Sequence, residues 1–181
     1  MQQRDCFCKL SVFRGGFTLD AAAQVAETEL DLIRDLVEKS LLSRQPNSRF
    51  TMHNTLQFFA SEKLNSLQDS EDLLDRHAHF YVNLLLSQID DLNGPQLVSA
   101  RSILMREIGN LRLAIDCAAL YWDVDPALKV LDGWFTFFIV QGWHEGMDAF
   151  KRLAELTTER RLKNGETWTD NPITSTAHVY Y

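Results

Sequence analysis

Apolar residues recur at helical spacing along most of the chain, and the places where that period fails divide it. Up to Lys39 the spacing predicts three short helices. The first runs from Asp5 to Phe13, with Phe7, Leu10 and Val12 or Phe13 turned inward, and Gly15-Gly16 ends it. Thr18 can cap a second helix, to about Ala26, whose three alanines pack closely. Thr28 can cap a third, with Asp31 in the reach-back position of a capping box. Leu30, Ile33 and Val37 form its inner stripe, with Leu36 beside them. The period then shortens to two. Leu41 to Arg44 and Arg49 to Met52 read as strands around a turn at Gln45 to Ser48. There Pro46 fixes φ and Asn47 tolerates an unusual one. Phe50 and Met52 lie two apart and so face one side of the second strand. Asn54 is a good N-cap for a helix to Leu64 that carries Leu56, Phe59, Ala60 and Leu64 on one face.

Beyond a polar joint at Asn65 to Ser70 the period is helical throughout. A helix from Ser70 to Leu92 carries Leu73, Leu74, His77, Phe80, Tyr81, Leu84 and Leu85, two adjacent stripes and hence a wide buried face. Asn93-Gly94-Pro95 stops it. The next helix, Leu97 to Glu107, breaks near Gly109. Asn110 then caps a helix that turns Leu111, Ala114, Ile115, Ala118 and Trp122 inward. Asp123 to Asp125 is a turn, and Pro126 suits a first helical turn. The helix to Gln141 is apolar nearly all round at Trp134, Phe135, Phe137, Phe138, Ile139 and Val140, so both its faces should be covered. Gly142 fits a left-handed C-terminal position, and Trp143, Gly146, Met147, Phe150 and Ala154 line a last helix to Thr158. These two helices form an antiparallel hairpin of repeat-unit length. Gly146, Phe150 and Leu153 approximate the small–aromatic–small spacing of a tetratricopeptide second helix. The polar stretch Leu162 to Ser175 reads as a loop, and Ala177 to Tyr181 could begin another helix.

The expected fold is therefore mostly α. A winged helix, with its β-hairpin, occupies residues 1–67, and a tetratricopeptide-like helical region occupies 68–181, cut off at its C-terminal end. The length of 181 residues supports a sizeable core in one or two domains. Charge separates the same two parts. Up to Leu67 there are 8 Lys+Arg and 8 Asp+Glu, and from Gln68 onward 10 and 17, which together give the net −7. A neutral front and an acidic back lack the basic face that nucleic-acid binding needs. Three cysteines, Cys6, Cys8 and Cys117, are too few and too scattered for a disulfide framework and point to a reducing compartment, hence a cytoplasmic protein. The N-terminus has no apolar signal region, and no apolar stretch is long enough to span a bilayer.

Four stretches carry a more specific signal. They are Leu10-Ser11-Val12-Phe13-Arg14-Gly15-Gly16-Phe17-Thr18-Leu19-Asp20-Ala21-Ala22, Lys39-Ser40-Leu41-Leu42, Arg49-Phe50-Thr51-Met52-His53 and Glu107-Ile108-Gly109-Asn110-Leu111-Arg112-Leu113-Ala114-Ile115. In that order and spacing, from roughly Cys8 to Thr158, the chain resembles bacterial STAND-type signalling ATPases, including transcription regulators of the LuxR and antibiotic-pathway classes. The matching part is the winged helix behind the nucleotide-binding core and the start of a helical repeat array. In the wider NB-ARC relatives a Met-His-Asp motif contacts the β-phosphate of bound ADP and helps hold the inactive form. Met52-His53-Asn54 looks like that motif, with Asn54 in place of the aspartate. The resemblance implies ADP or ATP as the cofactor of a longer parent protein. It implies an upstream nucleotide-binding domain as partner, and an unidentified protein or small-molecule inducer at the helical repeats.

No G-x-x-x-x-G-K-[ST] phosphate cradle occurs in the sequence, so no ATPase chemistry, cofactor or metal is expected of this chain itself. The expected role is a non-catalytic regulatory module in signal transduction and transcription control. The alternative is a DNA-binding winged-helix transcription factor, for which Arg44 and Arg49 would be the wing contacts. Its third helix would enter the major groove. That helix carries Glu29, Asp31, Asp35 and Glu38 against Arg34 and Lys39, a net of −2. His77 and His79, two apart on one helix, face different ways and cannot share a metal ion.

Overall fold

The computed structural model describes residues 2–64, 69–122, 124–141, 150–155 and 158. Over these the chain is mostly helical, with one small three-stranded antiparallel sheet. It separates into two compact units, Met1–Phe80 and Tyr81–Tyr181. No described helix is long and apolar enough to cross a membrane.

In the first unit, helix α1 spans Gln2–Leu10, so it begins and ends earlier than the Asp5-to-Phe13 expectation. The reason for its early end is local. The buried Ser11 hydroxyl donates to the carbonyl of Cys8 at 2.6 Å, and the next three amides drop back to i−3 acceptors: Ser11 to Cys8, Val12 to Lys9 and Phe13 to Leu10, at 3.1, 3.2 and 3.4 Å. A side chain that competes for a backbone carbonyl tightens the last turn in this way. Gly15 and Gly16, at φ of +83° and +98°, then turn the chain into a strand that periodicity did not reveal, β1 (Phe17–Thr18). Strand β2 (Ser43–Gln45) and strand β3 (Arg49–Thr51) flank a 3-10 turn at Pro46–Ser48, in which Asn47 takes φ +63° as expected of it. The sheet order is β1-β3-β2, with Phe17 opposite Phe50 on one side and Arg44 opposite Phe50 on the other.

Thr18 caps helix α2 (Leu19–Ala26), accepting from the Ala21 amide at 3.2 Å. Thr28 does not cap helix α3 (Leu30–Glu38), which starts from Glu29 without a side-chain cap. Thr28 is instead buried: its hydroxyl donates to the Ala26 carbonyl at 3.2 Å and lies 3.4 Å from Cys6 Sγ. The C-terminus of α3 closes by a Schellman motif built on Ser40 at φ +57°. Leu41 N–H donates to the Leu36 carbonyl and Ser40 N–H to that of Val37, both at 2.9 Å. Of the expected α3 stripe only Ile33 and Leu36 are buried, while Leu30 is 39% exposed and Val37 half-buried.

Helix α4 (Asn54–Leu64) packs on α1. Its buried line runs through Ala60 and Leu64, and the polar Gln57 shares that line at helical spacing. The Gln57 amide donates to the carbonyls of Ser11 (3.3 Å) and Phe13, two groups that the early end of α1 left without helical partners. Because Gln57 takes the inward position, Phe59 is turned out, contrary to expectation. It is 54% exposed, beside Phe58 at 68%, with Lys63 Nζ 5.7 Å from its ring centroid. Helix α5 (Ser70–Ser87) adds Leu73 and His77 to this unit's core. Its Arg76 Nε donates to the Val25 carbonyl at the end of α2, at 2.9 Å. Glu27, the left-handed C-cap of α2, lies 3.6 Å from Arg76 and 3.8 Å from Lys9, and Lys9 lies 3.9 Å from Asp69.

In the second unit α5 stops at Ser87, not Leu92. The Ser87 hydroxyl takes the Leu84 carbonyl at 2.8 Å, Gln88 makes a turn, and a separate helix α6 follows at Ile89–Leu92. Helix α7 covers Leu97–Arg106 and α8 covers Ile108–Tyr121. The break between them falls at Glu107, and Asn110 is not the cap expected. It lies inside the first turn, fully buried, where its Nδ2 donates to the Glu107 carboxylate at 2.9 Å. Leu111, Ala114, Ile115 and Ala118 are buried as expected, and Trp122 is half-buried. Helix α9 (Val124–Gln141) buries Trp134, Phe137 and Phe138, whose ring centroids lie 4.6–5.5 Å apart. Ile139 is 58% exposed, so this helix is not covered all round. Residues 150–155 are again helical, with Phe150, Leu153 and Ala154 buried. The expected joint at 65–68, the turn residue Asp123, Gly142, Trp143, Gly146 and Met147, and the stretches 162–175 and 177–181 lie outside the described residues.

Two expected outcomes follow from this packing. A Cβ on Gly16 would lie 2.8 Å from the Phe50 carbonyl oxygen and 2.9 Å from Thr51 Cγ2, at a φ that L-residues resist. Gly16→Ala should therefore cost about 1–3 kcal/mol in chemical denaturation, and more if β3 cannot retreat. Gly15→Ala, with φ +83° but nothing within 4 Å of its Cβ, should cost less. In the second unit, Asn110→Leu removes a donor from a buried carboxylate and should cost about 1–3 kcal/mol. Glu107→Gln retains an oxygen acceptor for Asn110 and should cost less than Asn110→Leu. The opposite order would mean that the pair does not brace the α7–α8 junction.

Candidate functional site

The site predicted at Met52-His53-Asn54 forms where β3 hands over to α4. The first helical bond of α4 runs from the Gln57 amide to the His53 carbonyl at 2.9 Å, which makes His53 the N-cap residue. Its ring completes the cap: Nδ1 accepts from the Thr55 amide at 3.3 Å. The expected cap, Asn54, is the first helical residue and is exposed. Met52 lies just past the end of β3 and is half-buried, while Phe50, two residues earlier, is in the core.

With Nδ1 turned to the Thr55 amide, Nε2 is the ring nitrogen left for another group. His53 is exposed, and the α4 N-terminus adds the positive end of a helix dipole close by. An exposed N–H donor beside the first-turn amides is suited to an anionic oxygen.

The second pair of candidates, Arg44 and Arg49, comes to the hairpin. Arg44 is exposed on β2, directly across from Phe50, and Arg49 is half-buried on β3 across from Gln45. Arg44 also lines a groove that sequence reasoning did not find. It lies between α3 and the hairpin, has a volume of about 420 Å³, and is walled by Leu19, Leu30, Val37, Phe50, Arg34, Glu38, Arg44 and Ser48. The available signal was the excess width of the α3 stripe. Leu30 and Val37 continue the stripe by spacing but line this groove. The remaining cations of α3 are engaged locally. Arg34 lies 3.3 Å from Asp31, and Lys39 donates to the Gln3 side chain, whose amide donates to Asp35 at 2.6 Å.

Elsewhere the titratable groups read as structure. His77 is fully buried, its ring 5.8 Å from that of Phe13. His79 is exposed, 3.5 Å from Asp75. Burial raises the Cys6 and Cys8 thiols above their ordinary range, which favours the unreactive protonated form. Burial likewise raises Asp116, against the pull of Arg152, whose Nε lies 3.1 Å away, and of Arg112. Compared with protein families, with characterised proteins and with solved structures, the chain has no match.

Proposed function

We propose that this chain is the non-catalytic regulatory segment of a STAND-type signalling ATPase or transcription regulator. In this reading the first unit is a winged helix that docks on an upstream nucleotide-binding domain. The helices of the second unit begin a tetratricopeptide-like array that senses a protein or small-molecule inducer. The element order α1-β1-α2-α3-β2-β3-α4 with sheet order β1-β3-β2 supports a winged helix. Neighbouring packing of α7, α8 and α9 supports a helical array.

One observation carries the nucleotide-sensing part: the exposed His53 ring, held by its Nδ1 at the N-terminus of α4, leaves Nε2 to donate to a phosphate. The motif position of Met52, His53 and Asn54 supplies the identity of that phosphate, the β-phosphate of ADP. The DNA-binding alternative has less behind it. The exposed charges of α3 include Glu29, Asp31 and Glu38, while Arg34 and Lys39 are tied to neighbours. Phosphates approaching that helix would meet repulsion.

His53 can be tested by separating its two roles. Asparagine is a strong N-cap residue, so His53→Asn should keep the α4 cap and leave the melting temperature of this chain nearly unchanged. In the longer protein the same change removes a donor to a charged group, worth about 1.5–3 kcal/mol, so ADP should bind about ten- to hundredfold more weakly. Calorimetry on the longer protein measures it. Unchanged ADP affinity would leave His53 as a cap and nothing more. Residues 1–181 alone, lacking a phosphate cradle in their sequence, should give no saturable heat with ADP or ATP.

A further inference from the structure

The groove between α3 and the hairpin is chemically more specific than an apolar dent. Its apolar lining is Leu19, Leu30, Val37 and the largely buried Phe50, and two opposite charges line it from different elements, Glu38 on α3 and Arg44 on β2. The two do not pair with each other, and neither has a hydrogen bond or ion pair to any described residue. The other cation of the wall, Arg34, is matched by Asp31 at 3.3 Å. Leu30, on an exposed helix, keeps 39% of its surface open to water, so a ligand that covers it gains hydrophobic energy. At about 420 Å³ the groove is near the small end of ligand clefts, which run from roughly 300 to 1,000 Å³.

We propose that this groove binds a free amino acid with an aromatic side chain. The ring lies on the apolar lining against Phe50, Leu30 and Val37, the ammonium meets Glu38, and the carboxylate meets Arg44. A zwitterion accounts for both unmatched charges at once. A fatty acid would leave Glu38 facing its carboxylate, and an apolar amine would leave Arg44 unmet. The placement also agrees with the side-chain chemistry: a guanidinium can hold a carboxylate through two parallel N–H donors. The inference stands on the first unit alone and does not depend on the ATPase reading.

The test is an NMR titration of the ¹⁵N-labelled chain with L-phenylalanine, run beside 3-phenylpropanoate, which lacks the ammonium, phenethylamine, which lacks the carboxylate, and glycine, which lacks the ring. The amides of Leu30, Val37, Arg44 and Phe50 should shift saturably with phenylalanine at a Kd on the order of 1 mM or below. Glycine should do nothing. Arg44→Gln should weaken phenylalanine and 3-phenylpropanoate by about tenfold and spare phenethylamine, and Glu38→Gln should do the converse. Both side chains are exposed, so neither change should disturb the fold. Shifts that never saturate, glycine competing as well as phenylalanine, or variants that bind all four probes like the parent sequence would overturn the proposal. So would movement of the same amides on raising protein concentration alone, or on adding a DNA duplex in place of phenylalanine. Either result would assign the groove to a second copy of the chain or to nucleic acid.

Discussion

Phe17 is the residue on which the first unit closes. Its ring stacks on Phe13 at 4.7 Å and on Phe50 at 6.0 Å, and Phe13 in turn meets the His77 ring at 5.8 Å. One column of rings thus joins the end of α1, the edge strand β1, the central strand β3 and helix α5. Each aromatic contact adds about 0.5–1.5 kcal/mol beyond its buried area, but the larger effect is geometric. Phe17 can reach both neighbours only if Gly15 and Gly16 turn the chain sharply and Gly16 comes against the Phe50 carbonyl. The two-residue strand is the consequence of that approach. Once β1 is pinned, β3 is the middle of the sheet, and the chain leaving it must enter α4 at Met52-His53.

This constraint explains why the candidate site is legible only in part. Alternation marked β2 and β3, and Pro46-Asn47 marked their turn, because those signals are local. A two-residue strand has no period to detect, so periodicity marks nothing at Phe17, and Thr18 shows only as the cap of α2. The residues Leu10 to Ala22 nevertheless pack as one connected device. Ser11 shortens α1, the glycines turn the chain, Phe13 and Phe17 stack, and Thr18 caps α2. Lys39-Ser40-Leu41-Leu42 is a second such device. It is a helix stop in which Ser40 adopts the left-handed conformation and Leu42 returns to the core. In the second unit the Glu107-to-Ile115 run places a buried carboxylate and a buried amide at one helix junction.

Three residues suited to capping do not cap the helix their position suggests. Thr28, Asn54 and Asn110 are all good N-cap residues by type, and in each case a neighbour took the position. A buried thiol and a carbonyl drew Thr28 inward, the His53 ring capped α4 one residue earlier, and Asn110 was drawn to Glu107. Cap propensity is a preference of about 1 kcal/mol, and a buried polar group without a partner costs as much or more. For Thr28 and Asn110 burial therefore decides, whereas at Asn54 the competitor is the exposed His53 ring, which accepts from an amide two residues on. A related competition turned Phe59 out and Gln57 in, since the Gln57 amide donates to the Ser11 and Phe13 carbonyls at the end of α1, which phenylalanine cannot do.

Gln57 also links the core to the candidate site. Its backbone N–H makes the first hydrogen bond of α4, to the His53 carbonyl, while its side chain holds the end of α1. The position of the His53 ring is thus referred, through one residue, to the turn that carries Phe13 into the aromatic column. A ligand that engages His53 would act on a helix whose start is tied to the end of α1 by hydrogen bonds. Such bonds are directional and are lost over small displacements. The N-terminal turn of α4 is accordingly where a small movement at the site would be felt first by α1 and the sheet.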